Sequence, residues 1–168
     1  MPQYKNSPMK PKVYLAGPLF SDAERTFNLR LTSLLETRVQ VYLPQRDGGL
    51  MSEMIEAGMS ADIAAYRIFH QDVYAIQEAD YLIAILDGRA IDEGVAFEIG
   101  VGFCYGKNCV GLQTDTRRLA SWGNNPMITG ALKEIFLTID DLFEWIKCET
   151  VDIVVNDLQQ SAANLKAC

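Results

Sequence analysis

The sequence is poor in histidine and has no closely paired cysteines, which excludes several kinds of metal and disulfide protein. One histidine, His70, and four cysteines without a CxxC pair cannot supply the ligands of a structural zinc site. We therefore expect reduced thiols, with Cys104 and Cys109 as packing residues in apolar surroundings. We also expect no bound metal and no cofactor.

Basic residues and long apolar runs are scarce as well. The 168 residues carry 15 Lys and Arg against 22 Asp and Glu, a net charge of −7, and no stretch concentrates the cations. Such a chain is a poor partner for nucleic acid polymers and anionic membranes. Its apolar runs fall far short of the roughly 20 residues that cross a bilayer. The polar N-terminus lacks the apolar core of a secretory signal, so we expect a cytoplasmic protein.

Short apolar runs alternate with longer segments of helical period. This alternation is typical of an α/β protein whose mostly parallel sheet is covered by helices on both faces. It predicts five strands, at 12–16, 39–43, 81–86, 109–112 and 135–138. It also predicts helices at 21–38, 60–79, 93–105 and 140–147, with a loop at 45–49 and a long polar segment at 113–130.

The chain is expected to form one main domain with two distinct ends. A flexible arm covers residues 1–11, the domain covers 12–148, and a tail covers 149–168. Helical spacing predicts that this tail is a helix packed on the domain or on a neighbouring subunit. In an open parallel sheet the ligand lies beyond the carboxyl ends of the strands, so the loops after Ala16, Leu43, Leu86 and Leu112 should line one site.

Asp72 stands at the centre of an apolar helix face. Six apolar residues lie within about 60° of it on a helical wheel of segment 60–79: Ala65, Ile68, Phe69, Ala75, Ile76 and Ala79. Burying an unpaired carboxylate is unfavourable, so such a residue has a partner or a task. Two interpretations stay open. Asp72 is either a structural residue satisfied by a cap or a hydroxyl, or a carboxyl group tuned to exchange protons.

A second carboxylate, Glu98, follows Gly94 by about one helical turn. Helical side chains lean toward the N-terminus, so that of Glu98 passes over a position without a side chain. Asp92 and Glu93 begin the same helix, where acids complement the helix dipole, but this does not explain Glu98. Because GxxxxGK[ST] and GxGxxG motifs are absent, paired carboxyl groups fit glycosyl chemistry better than phosphoryl transfer or dinucleotide binding.

Several motifs together resemble the nucleoside 2-deoxyribosyltransferase family. They are YLAGPLF at 14–20, FHQDVYAIQEAD at 69–80 and DEGVAFEIG at 92–100. The resemblance covers about residues 12–146 and implies a flavodoxin-like, doubly wound fold. It places Glu98 on the family nucleophile and Asp72 on the aspartate that handles the proton of the base. It also implies that Tyr14 orients the nucleophile.

The resemblance extends to residues that bind the substrate. It implies contacts with the base at three positions: Phe20, Gln45 and Asp92. The WGNNPMI segment at 122–128 resembles the part that a neighbouring subunit lends to the site, with Asn125 at the sugar 5'-hydroxyl and Met127 over the pocket. Asn124 is a register alternative to Asn125, and a polar turn anchored by Met127 is the structural alternative for the segment. The implied protein is a homo-oligomer built on dimers, with tetramers and hexamers left open.

The implied reaction is exchange of the purine or pyrimidine base of a 2'-deoxynucleoside for a free nucleobase. It proceeds by double displacement through a deoxyribosyl ester of Glu98, with hydrolysis as a side reaction. One alternative is a 2'-deoxynucleoside 5'-monophosphate N-glycosidase. However, the mouth is acidic and no Ser, Arg or Lys cluster surrounds Asn124 and Asn125, which favours a neutral 5' end. An alternative of another class is a non-catalytic flavodoxin-like binding module.

Overall fold

Five parallel strands form the centre of the protein. The computed structural model describes residues 10–117 and 123–150. The strands are β1 (Lys12–Ala16), β2 (Gln40–Tyr42), β3 (Tyr81–Ile85), β4 (Asn108–Leu112) and β5 (Ile135–Phe136). They lie in the order β2-β1-β3-β4-β5, and every neighbouring pair is parallel. This is the flavodoxin-like strand order, so the predicted fold class is confirmed.

Helices connect the strands and cover both faces of the sheet. They are α1 (Asp22–Leu35), α2 (Met51–Glu56), α3 (Ala61–Glu78), α4 (Glu93–Cys104), α5 (Pro126–Ala131) and α6, at residues 139–150. A π-helical turn, Pro44–Gly48, follows β2. At the start of α1, the Ser21 hydroxyl accepts from the Glu24 backbone and the Glu24 carboxylate accepts from the Ser21 backbone. This capping box explains why the helix begins directly after Ser21.

Alternation along β1 divides the core into two layers. Val13 and Leu15 belong to a cluster that includes apolar residues of α1 and α6. Tyr14 and Ala16 point to the other face, into a cluster with apolar residues of α3 and α4. The second layer therefore brings Tyr14 toward the two helices that carry Asp72 and Glu98.

The structure differs from the sequence prediction chiefly in the connections. Residues 45–48 of the predicted loop belong to the Pro44–Gly48 turn, which the Asp47 carboxylate closes by accepting from the Leu43 backbone at 2.8 Å. Helix α2 was not predicted, and the polar segment 113–130 contains most of α5. Neither of these short helices has a fully buried residue, so no apolar period marks them. Helix α1 ends at Leu35, three residues before the predicted end.

The apolar face of α3 is covered only in part. Ile76 and Ala79 are buried, whereas Ala65 and Phe69 on the same predicted face are exposed. Asp72 lies between these regions and is partly buried. The cluster against the sheet takes its α3 residues from the C-terminal half of the helix, which explains the difference.

Two expected features lie largely outside the described residues. They are the arm at 1–11 and the tail at 149–168, of which the structure describes residues 10, 11, 149 and 150. Trp122, the first residue of the WGNNPMI segment, is also outside. In the part of the chain that the structure describes, no helix combines the length with the hydropathy that a membrane span requires.

Candidate active site

A hydrogen bond joins Tyr14 to Glu98. The Tyr14 hydroxyl donates to Oε1 of Glu98 at 2.5 Å. Tyr14 is completely buried in β1, where β2 and β3 pair with it on either side. A short bond from a hydroxyl to a carboxylate is strong and directional. The sheet thus fixes the orientation of the Glu98 carboxyl group through a rigid partner.

Asp92 holds the start of the helix that carries Glu98. Its Oδ1 accepts from the backbone N–H of Gly94 at 2.9 Å and of Val95 at 3.1 Å, which makes Asp92 the N-cap of α4. A Cβ at Gly94 would lie 3.1 Å from the same oxygen. The absence of a side chain at Gly94 therefore leaves room for the capping carboxylate of Asp92.

The environment of Glu98 favours its protonated form. Burial raises the pKa of Glu98 to about 8, and the negative charges of Asp72 and Asp92 add to this increase. The hydrogen bond from Tyr14 acts in the opposite direction, since it stabilises the carboxylate. Glu98 consequently holds its proton more firmly than an exposed glutamate does.

Asp72 has the partner that a carboxylate on an apolar helix face requires. The Tyr42 hydroxyl donates to Oδ1 of Asp72 at 2.9 Å. Burial raises the pKa of Asp72 to about 6, although the bond from Tyr42 lowers it. A hydroxyl thus satisfies the carboxylate, as the structural interpretation of Asp72 expects, and proton exchange by Asp72 stays a prediction.

Tyr42 was not identified from the sequence. It occupies the position of β2 paired with Tyr14 of β1, and the two rings stack with centroids 5.5 Å apart and planes 15° apart. Burial and the nearby carboxylates raise the pKa of both hydroxyls, so both act as donors. Two stacked tyrosines thus reach from one face of the sheet to carboxyl groups on two different helices.

Two of the candidate base contacts lie beside α1. The ring of Phe20 is 76% exposed, directly before the N-cap of the helix. The amide of Gln45 faces α1, where Oε1 accepts from Nδ2 of Asn28 at 2.9 Å and Nε2 donates to the Arg25 carbonyl at 3.0 Å. Gln45 thus ties the turn after β2 to the first helix.

Two candidate residues at the start of α5 face outward. Asn125 caps α5 through Oδ1, which accepts from the Met127 backbone at 2.9 Å, and both residues are exposed. Met127 is 81% exposed. The amide of Asn124 instead bonds to the buried side chain of Gln113. Of the two register alternatives, Asn125 is therefore the residue that faces outward.

Asp87 ties together the loops after β3 and β4. Its Oδ1 accepts from the backbone N–H of Thr114 at 2.6 Å and of Asp115 at 2.8 Å, and its Oδ2 accepts from the Thr114 hydroxyl at 2.6 Å. These hydrogen bonds hold the loop between β3 and Asp92 against the loop after β4. Asp87 was not identified from the sequence, although a carboxylate soon after a buried strand is a usable signal.

The cysteines differ from each other in their surroundings. Cys109 is buried, as predicted, and burial raises the pKa of its thiol to about 11. Cys104 is exposed near the end of α4, so its predicted packing role is wrong. Across residues 10–117 and 123–150, no three His, Cys, Asp or Glu side chains are grouped as metal ligands.

The fold and the site together define a class of α/β protein. A flavodoxin-like sheet presents two carboxyl groups with raised pKa values, and each accepts a hydrogen bond from a tyrosine hydroxyl. The chain belongs to the nucleoside 2-deoxyribosyltransferase family, whose sequence model matches residues 13–163. Membership supports an enzyme that handles glycosyl groups, with nucleosides and nucleobases as its class of substrates.

Solved structures share the fold of this chain. A conserved protein from Enterococcus faecalis V583 is 29% identical, with 83% of this chain and 99% of that chain covered and a TM-score of 0.72. A 2-deoxyribosyltransferase from Bacillus psychrosaccharolyticus is 23% identical, with 79% and 90% covered and a TM-score of 0.66. A CMP N-glycosidase from Clostridium botulinum is 19% identical, with 82% and 98% covered and a TM-score of 0.52. The last two support the fold alone. A search of curated proteins found no match.

Proposed function

We propose that this protein is a nucleoside 2-deoxyribosyltransferase that exchanges the purine or pyrimidine base of a 2'-deoxynucleoside. The observation that carries the proposal is the hydrogen bond from buried Tyr14 to Glu98, which orients a carboxylate at one end of the site. A second carboxyl group, Asp72, is close enough to raise the pKa of Glu98. Family membership supports the same chemistry.

In the first step, a carboxylate oxygen of Glu98 attacks C1' of the nucleoside. The new C–O bond forms while the N-glycosidic bond breaks, and the electron pair of that bond stays with the base nitrogen. Asp72 donates a proton to the departing base, which leaves as a neutral molecule. The products are a free base and a deoxyribosyl ester of Glu98 with inverted configuration at C1'.

In the second step, a different base attacks C1' of the ester. The C–O bond breaks and returns its electron pair to Glu98, while Asp72 accepts the proton that the incoming base loses. Because each step inverts C1', the β configuration is retained overall. Water in place of the second base gives hydrolysis, which we propose as the side reaction.

Burial raises the pKa of both carboxyl groups of the site. Near neutral pH, Glu98 with a pKa of about 8 binds a proton more firmly than Asp72 with a pKa of about 6. The first step needs the reverse arrangement, an ionised Glu98 and a protonated Asp72. We infer that the bound base favours the proton on Asp72 by hydrogen bonding to it, while Tyr14 stabilises the Glu98 anion.

Further residues are proposed to bind the substrate. Asp92 and Phe20 are assigned to the base, and Gln45 supports the base through the turn that it fastens to α1. Asn125 is assigned to the 5'-hydroxyl of a neighbouring subunit's substrate, with Met127 covering the pocket. The outward orientation of these last two residues supports their role between subunits.

The proposed protein is a cytoplasmic homo-oligomer built on dimers. Apolar side chains on α3 and α4 are exposed, such as Phe69 and Phe97, whose ring centroids lie 5.9 Å apart. Such side chains support an apolar interface between subunits. We propose that residues 12–148 form the catalytic domain, with a flexible arm at 1–11 and a tail at 149–168 that is helical and packs on the domain or a neighbour.

Chromatography of products from 2'-deoxyinosine, with and without adenine, tests the proposal. We expect 2'-deoxyadenosine only when adenine is present, and none from Glu98→Gln. Glu93→Gln, which changes an exposed acid on the same helix, is the matched control and should keep its activity. Hypoxanthine release alone would indicate a hydrolase, and preference for the 5'-monophosphate would indicate the N-glycosidase. No turnover of either substrate, with binding unaffected by Glu98→Ala, would indicate the binding module.

A further inference from the structure

We propose that Tyr42 is a positioning residue, which holds one oxygen of Asp72 so that the other exchanges the proton with the base. This inference rests on the proposed function, because it deepens the role of Asp72 in that reaction. Tyr42 does not touch the reacting atoms in this account. It acts through Asp72.

The surroundings of Asp72 distinguish its two oxygens. Oδ1 accepts from the Tyr42 hydroxyl at 2.9 Å. A Cβ added at Gly48 would lie 2.8 Å from Oδ1 and 3.0 Å from the Tyr42 hydroxyl oxygen, so the backbone of the turn packs directly against this pair. With Oδ1 enclosed, Oδ2 is the oxygen assigned to the substrate.

The position of Tyr42 is fixed by the sheet. Its strand pairs with β1 in a register that sets Tyr42 beside Tyr14, and the stacked rings restrain each other. Burial and Asp72 raise the pKa of the Tyr42 hydroxyl, so the hydroxyl keeps its proton and donates it in a hydrogen bond. A donor held in this way stabilises the ionised form of Asp72.

Titratable groups on other elements surround the Tyr42–Asp72 pair. Glu98 lies on α4, where the charge of Asp72 raises the pKa of Glu98, and Asp47 lies in the turn after β2, where its charge raises the pKa of Tyr42. Tyr14 approaches from β1 but donates to Glu98. Gln71 on α3 donates to the Asp47 backbone carbonyl at 2.8 Å. The hydrogen bond from Tyr42 thus opposes burial, and its loss should raise the pKa of Asp72.

The test is Tyr42→Phe, which removes the hydroxyl and keeps the stacked ring. The first step needs a protonated Asp72, so at saturating nucleoside the rate of base release falls as pH rises above the pKa that Asp72 has in the substrate complex. In the variant we expect this alkaline limb to move up by about one to two pH units. We expect the rate at the optimum to fall by about ten- to a hundredfold, since Asp72 is less well oriented. Tyr74→Phe, at an exposed tyrosine of the same helix as Asp72, is the matched control and should keep both properties.

A second substrate separates positioning from damage to the fold. The 2'-deoxyriboside of 4-nitrophenol has a leaving group that needs no proton, so Tyr42→Phe should release it at nearly the normal rate. Gly48→Ala, whose new methyl group would displace the Tyr42–Asp72 pair, should show the same selective loss on the nucleoside. Equal losses on both substrates, or an unshifted alkaline limb, would overturn the inference while leaving the proposed function intact. If the unmodified protein releases no base from any 2'-deoxynucleoside, both proposals fail.

Discussion

The side-chain amides of Gln113 and Asn124 exchange two hydrogen bonds. Nδ2 of Asn124 donates to Oε1 of Gln113 at 2.8 Å, and Nε2 of Gln113 donates to Oδ1 of Asn124 at 3.4 Å. Gln113 is 4% exposed and its Nε2 also lies 3.3 Å from the Leu86 carbonyl. The ends of β3 and β4 therefore anchor the residue that precedes Asn125.

Asn124→Ala should weaken substrate binding more than turnover. The substitution removes the anchor of the segment that carries Asn125 but leaves Glu98 and Asp72 in place. We expect KM for the 2'-deoxynucleoside to rise about tenfold, with kcat within a fewfold of its normal value. Initial rates over a range of substrate concentrations measure both constants. An unchanged KM would show that the amide pair has no part in positioning the segment.

Mixed oligomers test whether Asn125 completes the site of a neighbour. Glu98→Ala and Asn125→Ala proteins should each have low activity by themselves. When they are unfolded and refolded together, a hybrid dimer contains one site with both normal residues, so about a quarter of all sites should regain activity. If the mixture is no more active than its components, Asn125 acts within its own subunit or not at all.

Glu98→Gln should stabilise the protein at alkaline pH. Because burial raises the pKa of Glu98 to about 8, the folded state binds this proton more tightly than the unfolded chain does. The contribution of Glu98 to stability is therefore complete in acid and is lost as the pH rises through about 8. Glutamine cannot ionise and still accepts from Tyr14. We expect the variant to be more stable by about 1–3 kcal/mol at about pH 9, and nearly unchanged at about pH 4.

Urea unfolding at both pH values measures this difference. Glu93→Gln is again the control, since that acid is exposed and its substitution should leave the pH dependence unaltered. A Glu98→Gln protein that is less stable than normal at high pH would mean that the carboxylate of Glu98 is stabilised by the fold.

Asp72→Asn should remove proton transfer while keeping the hydrogen bond from Tyr42. Asparagine can accept from the hydroxyl but cannot protonate a departing base, so we expect base release from 2'-deoxyinosine to slow by about a hundredfold or more. Single-turnover measurements of hypoxanthine release test this. Asp62→Asn, in the exposed first turn of the same helix, should behave normally. A full rate in Asp72→Asn would remove Asp72 from the mechanism.

Asp72 and Glu98 could be identified from the sequence because the unusual placement of each is visible within a single helix. A carboxylate centred on an apolar helix face and a glutamate one turn after a glycine are both visible in the spacing of residues along one helix. The strands were predictable for a similar reason. Each is a short apolar run that pairs in parallel with its neighbours, and both faces of such a sheet are buried.

Tyr42, Gln113 and Asp87 depend on contacts between distant segments. Tyr42 meets Asp72 because the register of β1 and β2 sets it beside Tyr14, and a register between parallel strands is not readable from either strand by itself. Gln113 and Asp87 each bind a residue in another loop. Gln45 was identified from the sequence by its position after β2. The direction of its amide, toward α1, could not be predicted.

Mass spectrometry of a trapped intermediate tests the central claim most directly. The protein is incubated with 2'-deoxyinosine without an acceptor base, quenched in acid and digested. We predict that the peptide carrying Glu98 gains one deoxyribosyl group, that this group disappears when adenine is added before the quench, and that Glu98→Gln never acquires it. Base exchange by a protein whose Glu98 stays unmodified, or a deoxyribosyl group on another residue, would contradict the account.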